Sequence, residues 1–408
     1  MNTIDILGDE ETFKNIVERT ITEIEDNEVE SIGSAVFVGC NSLTSASFSA
    51  VTSIGNGAFQ NCSKLTSVSF PSVTDISYGA FQYCSNLTSV EFPLVTSIGD
   101  AAFESCSNLT SVPFPVVTSI GYDAFKSCSN LTSVSLPAVT SIGNGAFQNC
   151  SKLTSVSFPS VTDISYDAFN SCSNLTSVSF PLLTSIGDDA FNSCSNLTSV
   201  TSVEFPEVTS IGMSAFESCS NLTSVSFPKV TSIDNKAFKS CSKLTSVSFP
   251  AVKSIRNGVF EDCISLKSVE FPLSEWCGGF GRCSALTSAS FPIARSVDSY
   301  AFEGCSSLTS VSVPLAKSIG AFAFQNCSSL TSVSFPVVTD IAKKAFFSCN
   351  NLTTMYIGTE SNTVCTLGVD AIPSSVTDIY VPEALVDSYK KEYNWSDFAD
   401  KIKAYTGV

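Results

Sequence analysis

Residues 65–84 read LTSVSFPSVTDISYGAFQYC, and close variants of this stretch follow one another along most of the 408-residue chain. The cysteine at its end recurs every 22 residues, with one step of 25 before Cys219 and one of 20 before Cys283. Fifteen of the 17 cysteines lie in this register. A fixed period of this size is typical of a solenoid, in which each repeat is one rung of a stack.

The spacing within one repeat predicts the course of the chain around a rung. Leu65, Val68 and Phe70 have the spacing with which a short parallel strand points apolar side chains into a coil. Pro71 ends that strand, because it has no N–H to donate. A second short extended segment ends at Ile76, and about one helical turn precedes the next cysteine. One repeat cannot bury its own apolar edge, so the repeats must stack.

The frame Leu-x-x-Val-x-Phe-Pro-x-Val-Thr-Ser-Ile-Gly-x-x-Ala-Phe-x-x-Cys-Ser resembles the BspA-like subclass of leucine-rich repeats, and it extends over residues 28–357. The resemblance implies a leucine-rich-repeat solenoid with one short parallel strand, a second short extended segment and about one helical turn in each rung. It also implies a binding protein, since members of that family are mostly surface or secreted proteins with diverse ligands.

Both ends of the chain depart from the repeat, as solenoid ends must to cover the last apolar rung. We predict an acidic N-terminal cap or attachment segment over residues 1–30, the solenoid over 31–357 and a C-terminal cap over 358–408. In the N-terminal segment, residues 10–19 have the apolar spacing of a helix, and 20–25 alternate like a strand.

The C-terminal cap is predicted to combine a strand over residues 377–382 with an amphipathic helix over 383–405. Its sequence resembles the closing segment of leucine-rich-repeat proteins from gut Firmicutes and their prophages. Such a helix would cover the apolar edge of the last rung.

Charge and hydropathy exclude some partners and predict a location. The net charge of −17 would repel a phosphate backbone, so we expect no nucleic-acid partner. No run of 18 apolar residues is present, so we expect no membrane insertion. The first residues do not read as a secretory signal. We therefore expect synthesis in a reducing cytoplasm, and a cell-surface, extracellular or virion location without a recognisable signal peptide.

The in-register cysteines are interpreted as a buried structural ladder of reduced thiols. A metal site is disfavoured, because the chain has no histidine and no Cys-x-x-Cys pair. Cys277 and Cys283 could instead form a disulfide across an irregular rung, and Cys365 is assigned to the C-terminal cap. The ladder includes Cys62, Cys84, Cys106 and Cys128.

A hydroxyl-rich face along the first strands is the broadest candidate binding surface. These side chains could simply solvate an exposed sheet, or they could bind a glycan or protein, since repeat proteins commonly bind through their strand face. Ice binding is a remote alternative for a regular hydroxyl array. The candidate face comprises Thr66, Ser67, Ser69, Thr88, Ser89, Glu91, Thr110 and Ser111.

Two faults interrupt the 22-residue period. The triplet at residues 198–200 is duplicated at 201–203, so this strand must bulge or its rung must lengthen. A second fault brings Glu275, Trp276 and Arg282 into a rung that has lost two residues. It could be only a kink, or it could be a local binding site, because aromatic and arginine side chains dominate binding hot spots.

Together these features predict a non-enzymatic recognition or adhesion protein without a cofactor. Histidine is absent, and no phosphate-binding loop or nucleophile elbow is present. The expected partner is a host protein or glycan on a cell surface, bound through the repeat face. In one variant, this protein is the receptor-binding component of a phage or prophage tail. The alternative is a structural spacer or self-assembling filament, and homo-oligomers or attachment to a larger particle fit either reading.

Overall fold

The computed structural model describes residues 22–200 and 205–407. They form a parallel-strand solenoid with little helix, which confirms the predicted fold class. The described residues form two compact units, one of residues 22–197 with 205–208 and one of 198–200 with 209–407. The predicted N-terminal helix over 10–19 and the duplicated triplet at 201–203 lie outside the described residues.

In the first unit, every rung with two strands has a first strand and a shorter second strand ending in isoleucine. The first strands are Glu23–Asp26, Ser45–Phe48, Ser67–Ser69, Ser89–Glu91, Ser133–Ser135, Ser155–Ser157 and Ser177–Ser179. The second strands are Ser31–Ile32, Ser53–Ile54, Asp75–Ile76, Ser97–Ile98, Ser119–Ile120, Ser141–Ile142, Asp163–Ile164 and Ser185–Ile186.

The second unit repeats this plan and adds short helices near its C-terminal end. Its first strands are Ser199–Val200, Ser224–Ser226, Ser246–Ser248, Ser268–Glu270, Ser288–Ser290, Ser310–Ser312, Ser332–Phe335, Thr354–Ile357, Asp378–Pro382 and Ile402–Tyr405. Its second strands are Ser210–Ile211, Ser232–Ile233, Ser254–Ile255, Ser296–Val297, Ser318–Ile319, Asp340–Ile341 and Thr366–Leu367. The helices are Glu383–Leu385 (3-10), Val386–Tyr389 (α) and Ser396–Lys401 (3-10).

Most neighbouring first strands pair in parallel with a shift of one repeat. Val68 thus lies beside Val90, and in the shortened rung Val269 lies beside Ala289, so the register survives the lost residues. Val68, Val90 and Val269 are buried, while the polar residues beside them are half-buried or exposed. This alternation is what a strand with one face on the core requires.

Phenylalanine rings form two columns inside the coil. Phe59 stacks on Phe81 at a centroid distance of 5.2 Å, and Phe70 stacks on Phe92 at 5.5 Å. The columns touch where Phe81 meets Phe92 edge-on at 5.7 Å. Most rungs add a ring to each column, while buried Leu136 and Val313 replace phenylalanine in two of them. Each repeat thus completes the core of its neighbour.

The segment predicted as about one helical turn is a chain of hydrogen-bonded turns. Gly79, Phe81 and Tyr83 donate N–H groups to the next rung at 2.9, 2.8 and 2.8 Å. Between them, Gln82 donates to the carbonyl of Gly79 at 3.0 Å, within its own rung. The alternation requires left-handed backbone at Gly79 (φ +59°) and Tyr83 (φ +62°). The turn segment of this rung therefore forms backbone hydrogen bonds both within the rung and with the next one.

All 17 cysteines lie in the described residues and are buried thiols. The alternative disulfide between Cys277 and Cys283 is wrong, because neither sulfur is bonded to another. The Cys283 Sγ instead donates to the carbonyl of Phe260 at 3.0 Å. Both side chains are fully buried in the core, where small apolar groups pack well.

The C-terminal stretch differs from the predicted strand followed by one amphipathic helix. The strand is present, but the helical residues fall into three short pieces, and the chain ends in a strand over Ile402–Tyr405 that pairs with Asp378–Pro382. Tyr389 and Trp395 are fully buried and hold the backbone of Cys365. The Cys365 N–H donates to the Tyr389 hydroxyl at 3.0 Å, and Trp395 Nε1 donates to the Cys365 carbonyl at 2.6 Å.

Candidate functional site

The structure brings most of the predicted hydroxyl face together in the first unit. Ser67 lies beside Ser89, and Ser69 lies beside Glu91, on the outer side of paired strands. Their side chains contact each other, since the Ser69 hydroxyl donates to the Glu91 carboxylate at 2.7 Å. The face is a continuous polar surface over these two rungs.

The threonines of this face have a structural use for their hydroxyl groups. Thr66 Oγ1 donates to the carbonyl of Thr44 at 2.8 Å, and Thr88 Oγ1 donates to the carbonyl of Thr66 at 3.0 Å. Each threonine thus spends its one donor on the preceding rung. A ligand would find only acceptor lone pairs at these positions.

Thr110 and Ser111 are exposed but do not extend the paired strands. Their rung carries Pro113, which has no N–H to donate to the preceding strand. The next N–H, of Phe114, donates to Val112 at 3.0 Å within the rung, whereas that of Phe70 donates across to Glu91 at 3.0 Å. The interruption opens a shallow apolar groove of about 520 Å³ lined by Val90, Phe92, Pro93, Val112, Pro113 and Pro115.

Each rung turns a corner between the end of its second strand and the core phenylalanine of its turn segment. The shortened rung in the second unit lacks two residues at this corner. Cys277 bridges to Val297 and so occupies the position of the core isoleucine in the second strand. Three positions separate Cys277 from Phe280, whereas five separate Ile255 from Phe260 in the rung before. The corner that Asn257 and Gly258 form in that rung therefore has no counterpart.

Two glycines let the chain cut this corner. Gly278 packs against Asp298, whose Oδ2 would lie 2.7 Å from a Cβ at this position. Gly279 has a φ of +91°, and a Cβ there would lie 3.0 Å from the carbonyl oxygen of Arg256. A side chain at either position would displace its neighbours or strain the backbone.

The missing corner leaves a gap of about 950 Å³ in the side of the stack, which we call the notch. One wall is formed by residues 254–258 with Glu261 and the other by residues 298–300 with Glu303. The short rung between them contributes Trp276, Gly279, Gly281 and Arg282. Neighbouring rungs are about 4.8 Å apart, so the two walls stand roughly 9–10 Å apart.

Trp276 is held at the notch with half of its surface exposed. It takes the outward position that Ser254 and Ser296 occupy in the adjacent rungs. The buried Ser274 hydroxyl donates to the carbonyl of Trp276 at 2.7 Å and fixes the backbone there. An indole so placed offers a large, ordered contact surface.

Arg282 lines the notch, but its charge is used within the protein. Its Nε donates to Asp262 Oδ1 at 2.7 Å and an Nη to Oδ2 at 2.9 Å, and it also pairs with Glu261. The guanidinium hydrogen bonds hold the pKa of the Asp262 carboxyl below its usual range. Glu275 does not line the notch; it lies between Lys253 and Arg295 in the exposed row beside it.

Asp298 is a notch residue that the sequence interpretation missed. Its carboxyl is half-buried against Gly278, and it forms none of the ion pairs found in residues 22–200 and 205–407. Burial without a cation raises the pKa of Asp298 above its ordinary value. Aligning Cys277 with Ile255 would have located this site, because that alignment assigns the deletion to the corner facing Asp298.

An exposed aromatic row continues from the notch. Tyr300 in the wall stacks on Phe322 of the next rung at 5.0 Å, with the rings 9° from parallel. The amine groups of Lys343 and Lys344 lie 5.9 and 6.0 Å from the Phe322 ring. Tyr300 is therefore held in the wall by stacking on a ring of the next rung.

Within the described residues, no group of three or more cysteine and acidic side chains could hold a metal ion. The same residues contain no helix long and apolar enough to cross a membrane. The notch is a polar cavity of about 950 Å³ in the second unit.

Comparison with solved structures identifies bacterial leucine-rich-repeat proteins. One from Bacteroides ovatus is 27% identical, with 93% of this chain and 88% of that chain covered and a TM-score of 0.60. A leucine-rich cell surface protein from Faecalibacterium prausnitzii is 28% identical over 70% of this chain and 83% of that chain, with a TM-score of 0.43. No protein of curated function matches the sequence.

The sequence also matches a family model described as a BspA type leucine rich repeat region of six copies. Leucine-rich-repeat proteins of this kind are generally binding scaffolds. The matched residues are 7–132, 74–198, 118–228, 195–275 and 278–387. Because these matches span far more than half of its length, the chain belongs to the BspA-type leucine-rich repeat family.

Proposed function

We propose that this protein is a non-enzymatic recognition protein that binds a partner on a cell surface, and that the notch around Trp276 makes the decisive contact. The observation that carries this proposal is the loss of one corner in an otherwise regular stack. That loss creates a concave site beside a half-exposed indole. Concave sites lined by a few ordered aromatic and polar groups are where binding energy concentrates.

The hydroxyl face is a weaker candidate for the decisive contact. Its threonine donors are already bonded to the preceding rung. We assign it a supporting role as a polar surface around the contact. A surface or particle location would bring either region to a partner.

The test is binding of the labelled, purified protein to intact bacterial and host cells. The diagnostic variant inserts Asn-Gly between Gly278 and Gly279, which restores a 22-residue rung and fills the notch while both walls stay unchanged. We expect the wild-type protein to bind at least one cell type and the insertion variant to lose most of that binding.

Tyr166→Ala is the matched control, since Tyr166 is as exposed as Trp276 but lies in the first unit. It should bind like the wild type, whereas Trp276→Ala should not. Equal binding by the wild type and the insertion variant would show that the notch is not the binding site. Absence of binding to every cell type would contradict the recognition function itself.

A further inference from the structure

We infer that the notch takes an extended peptide segment of a partner protein and seats a lysine or arginine side chain of that peptide at Trp276 and Asp298. This inference rests on the proposed function, because it names the ligand class of the same site. Its evidence is the pattern of main-chain groups in the walls and the charge of the lining side chains.

The regular rungs show which backbone hydrogen bonds the two missing residues would have formed with the rungs on either side. At this position Lys236 donates its N–H to the carbonyl of Asn257 at 3.1 Å, and Tyr300 donates to Ala321 at 3.0 Å. Gly258 occupies the same position, but the short rung that follows has no residue to accept its N–H. For the same reason, the carbonyl of Ser299 on the opposite wall has no residue in the short rung to donate to it.

An extended peptide matches both walls. Each of its residues carries one N–H and one C=O. The peptide carbonyl can accept from Gly258, and a peptide N–H can donate to Ser299. The walls stand two rung spacings apart, roughly 9–10 Å, and one added strand needs about 4.8 Å on each side. The peptide would therefore replace the lost corner as a strand added to a sheet does.

The side chains of the notch favour a cation. Five charged side chains line it, and of these Arg282 and Glu261 pair with each other. The remaining three are Arg256, Asp298 and Glu303, which sum to −1. The whole chain carries −17, which also draws basic ligands.

Asp298 and Trp276 together give the cation a specific place. Because Cys277 lies beside Val297, the next residues, Gly278 and Asp298, also lie beside each other. Trp276 directly precedes Cys277 on the same exposed edge. A lysine or arginine can meet the half-buried carboxylate and lie over the exposed indole face at once. Such a contact combines an ion pair with a cation–π interaction.

The experiment pans a displayed library of random short peptides on the full-length protein and counter-screens the enriched peptides on the Asn-Gly insertion variant. We expect peptides that share a basic residue and fail to bind the insertion variant. For a synthetic peptide of the consensus sequence, Trp276→Ala and Asp298→Asn should each weaken binding about tenfold or more, measured by calorimetry. Tyr166→Ala and Asp370→Asn should leave its affinity unchanged.

The inference is overturned if no peptide is enriched, if enriched peptides bind the insertion variant equally well, or if they share no basic residue. A glycan array on which the wild type binds and the insertion variant does not would assign the notch to a sugar instead. In that case the proposed function survives while the peptide inference fails. If the insertion variant does not fold by circular dichroism, the two point variants and their controls still decide the outcome.

Discussion

At the scale of single residues, the cysteine ladder has a chemical reason. The Cys128 Sγ donates to the carbonyl of Phe103 at 3.2 Å, and the same carbonyl accepts the N–H of Cys106 at 3.1 Å. Complete burial raises the pKa of Cys128 well above that of an exposed thiol. A thiol fits this place because it is small and apolar, yet supplies a weak second donor to a buried carbonyl.

Arg282, predicted as part of a local binding site, forms ion pairs within the protein with Glu261 and Asp262. We predict that Arg282→Gln lowers the urea midpoint at pH 7. Because the folded-state pKa of Asp262 is depressed, its ionised form stabilises the fold above its unfolded pKa. That contribution is lost as the pH falls through the depressed folded value. The urea midpoints of the wild type and Arg282→Gln should therefore converge in strong acid, below about pH 4.

The measurement is urea denaturation of both proteins from pH 7 to pH 2, followed by circular dichroism. Lys391→Gln serves as the control, because Lys391 takes part in none of the ion pairs that form within residues 22–200 and 205–407. A difference between Arg282→Gln and wild type that stayed constant over this range would contradict the ion-pair explanation.

At the scale of elements, a single proline decides where a sheet stops. The first strands of the first unit form one sheet that ends at Ser89–Glu91 and another that begins at Ser133–Ser135. The rung between them has Pro113 where the other first strands of the first unit have serine or glutamate. The missing N–H removes the donor that this rung would supply to the ladder, and the apolar groove lies at the interruption. A sheet also ends between Ser246–Ser248 and Ser268–Glu270, where neither strand contains a proline.

We predict that Pro113→Ser joins the two sheets and stabilises the first unit by about 1 kcal/mol, the net value of a typical hydrogen bond. Hydrogen exchange should become slower at residues 89–91 and 133–135. The reverse change, Ser157→Pro in a regular strand, should destabilise by about 1–3 kcal/mol, because it leaves a carbonyl without its donor. Unchanged exchange in Pro113→Ser would show that the proline does not cause the interruption.

At the scale of the whole molecule, stability comes from stacking and from reduced thiols, without covalent links between rungs in the described residues. In each unit the core is built by neighbouring repeats together. Phenylalanine rings stack from rung to rung, and the turn segments form backbone hydrogen bonds with the next rung. The cost is that 17 thiols become exposed whenever the chain unfolds.

We predict that the native protein reacts slowly with thiol reagents at pH 8, and that all 17 cysteines react in guanidinium. The raised pKa of buried thiols such as Cys172 keeps them protonated, and the thiolate is the reactive form. Refolding should succeed with a reductant and fail in large part without one, because exposed thiols pair at random. Fast labelling of the native protein would contradict the buried ladder.

The sequence was sufficient for the rung length, the core residues and the two-strand plan of each repeat. These follow from local spacing that is repeated in every copy, so that one misread repeat is corrected by the others. It was also sufficient to mark the rung of Trp276 as irregular, because a change in period is visible without a structure. The sequence predicts more helix than is present, because a helical turn and a turn bonded to a neighbouring rung have similar apolar spacing.

Only the tertiary structure decided what the irregular rung makes. The register of Cys277 on Val297 assigns the two lost residues to a corner, and packing between rungs brings Asp298 against Gly278 and bonds Arg282 to Asp262. The same packing places the hydroxyl of Thr66 where it donates a hydrogen bond to the carbonyl of Thr44. Each of these facts joins residues about one repeat apart, and such pairings depend on how the rungs stack, which local spacing does not specify.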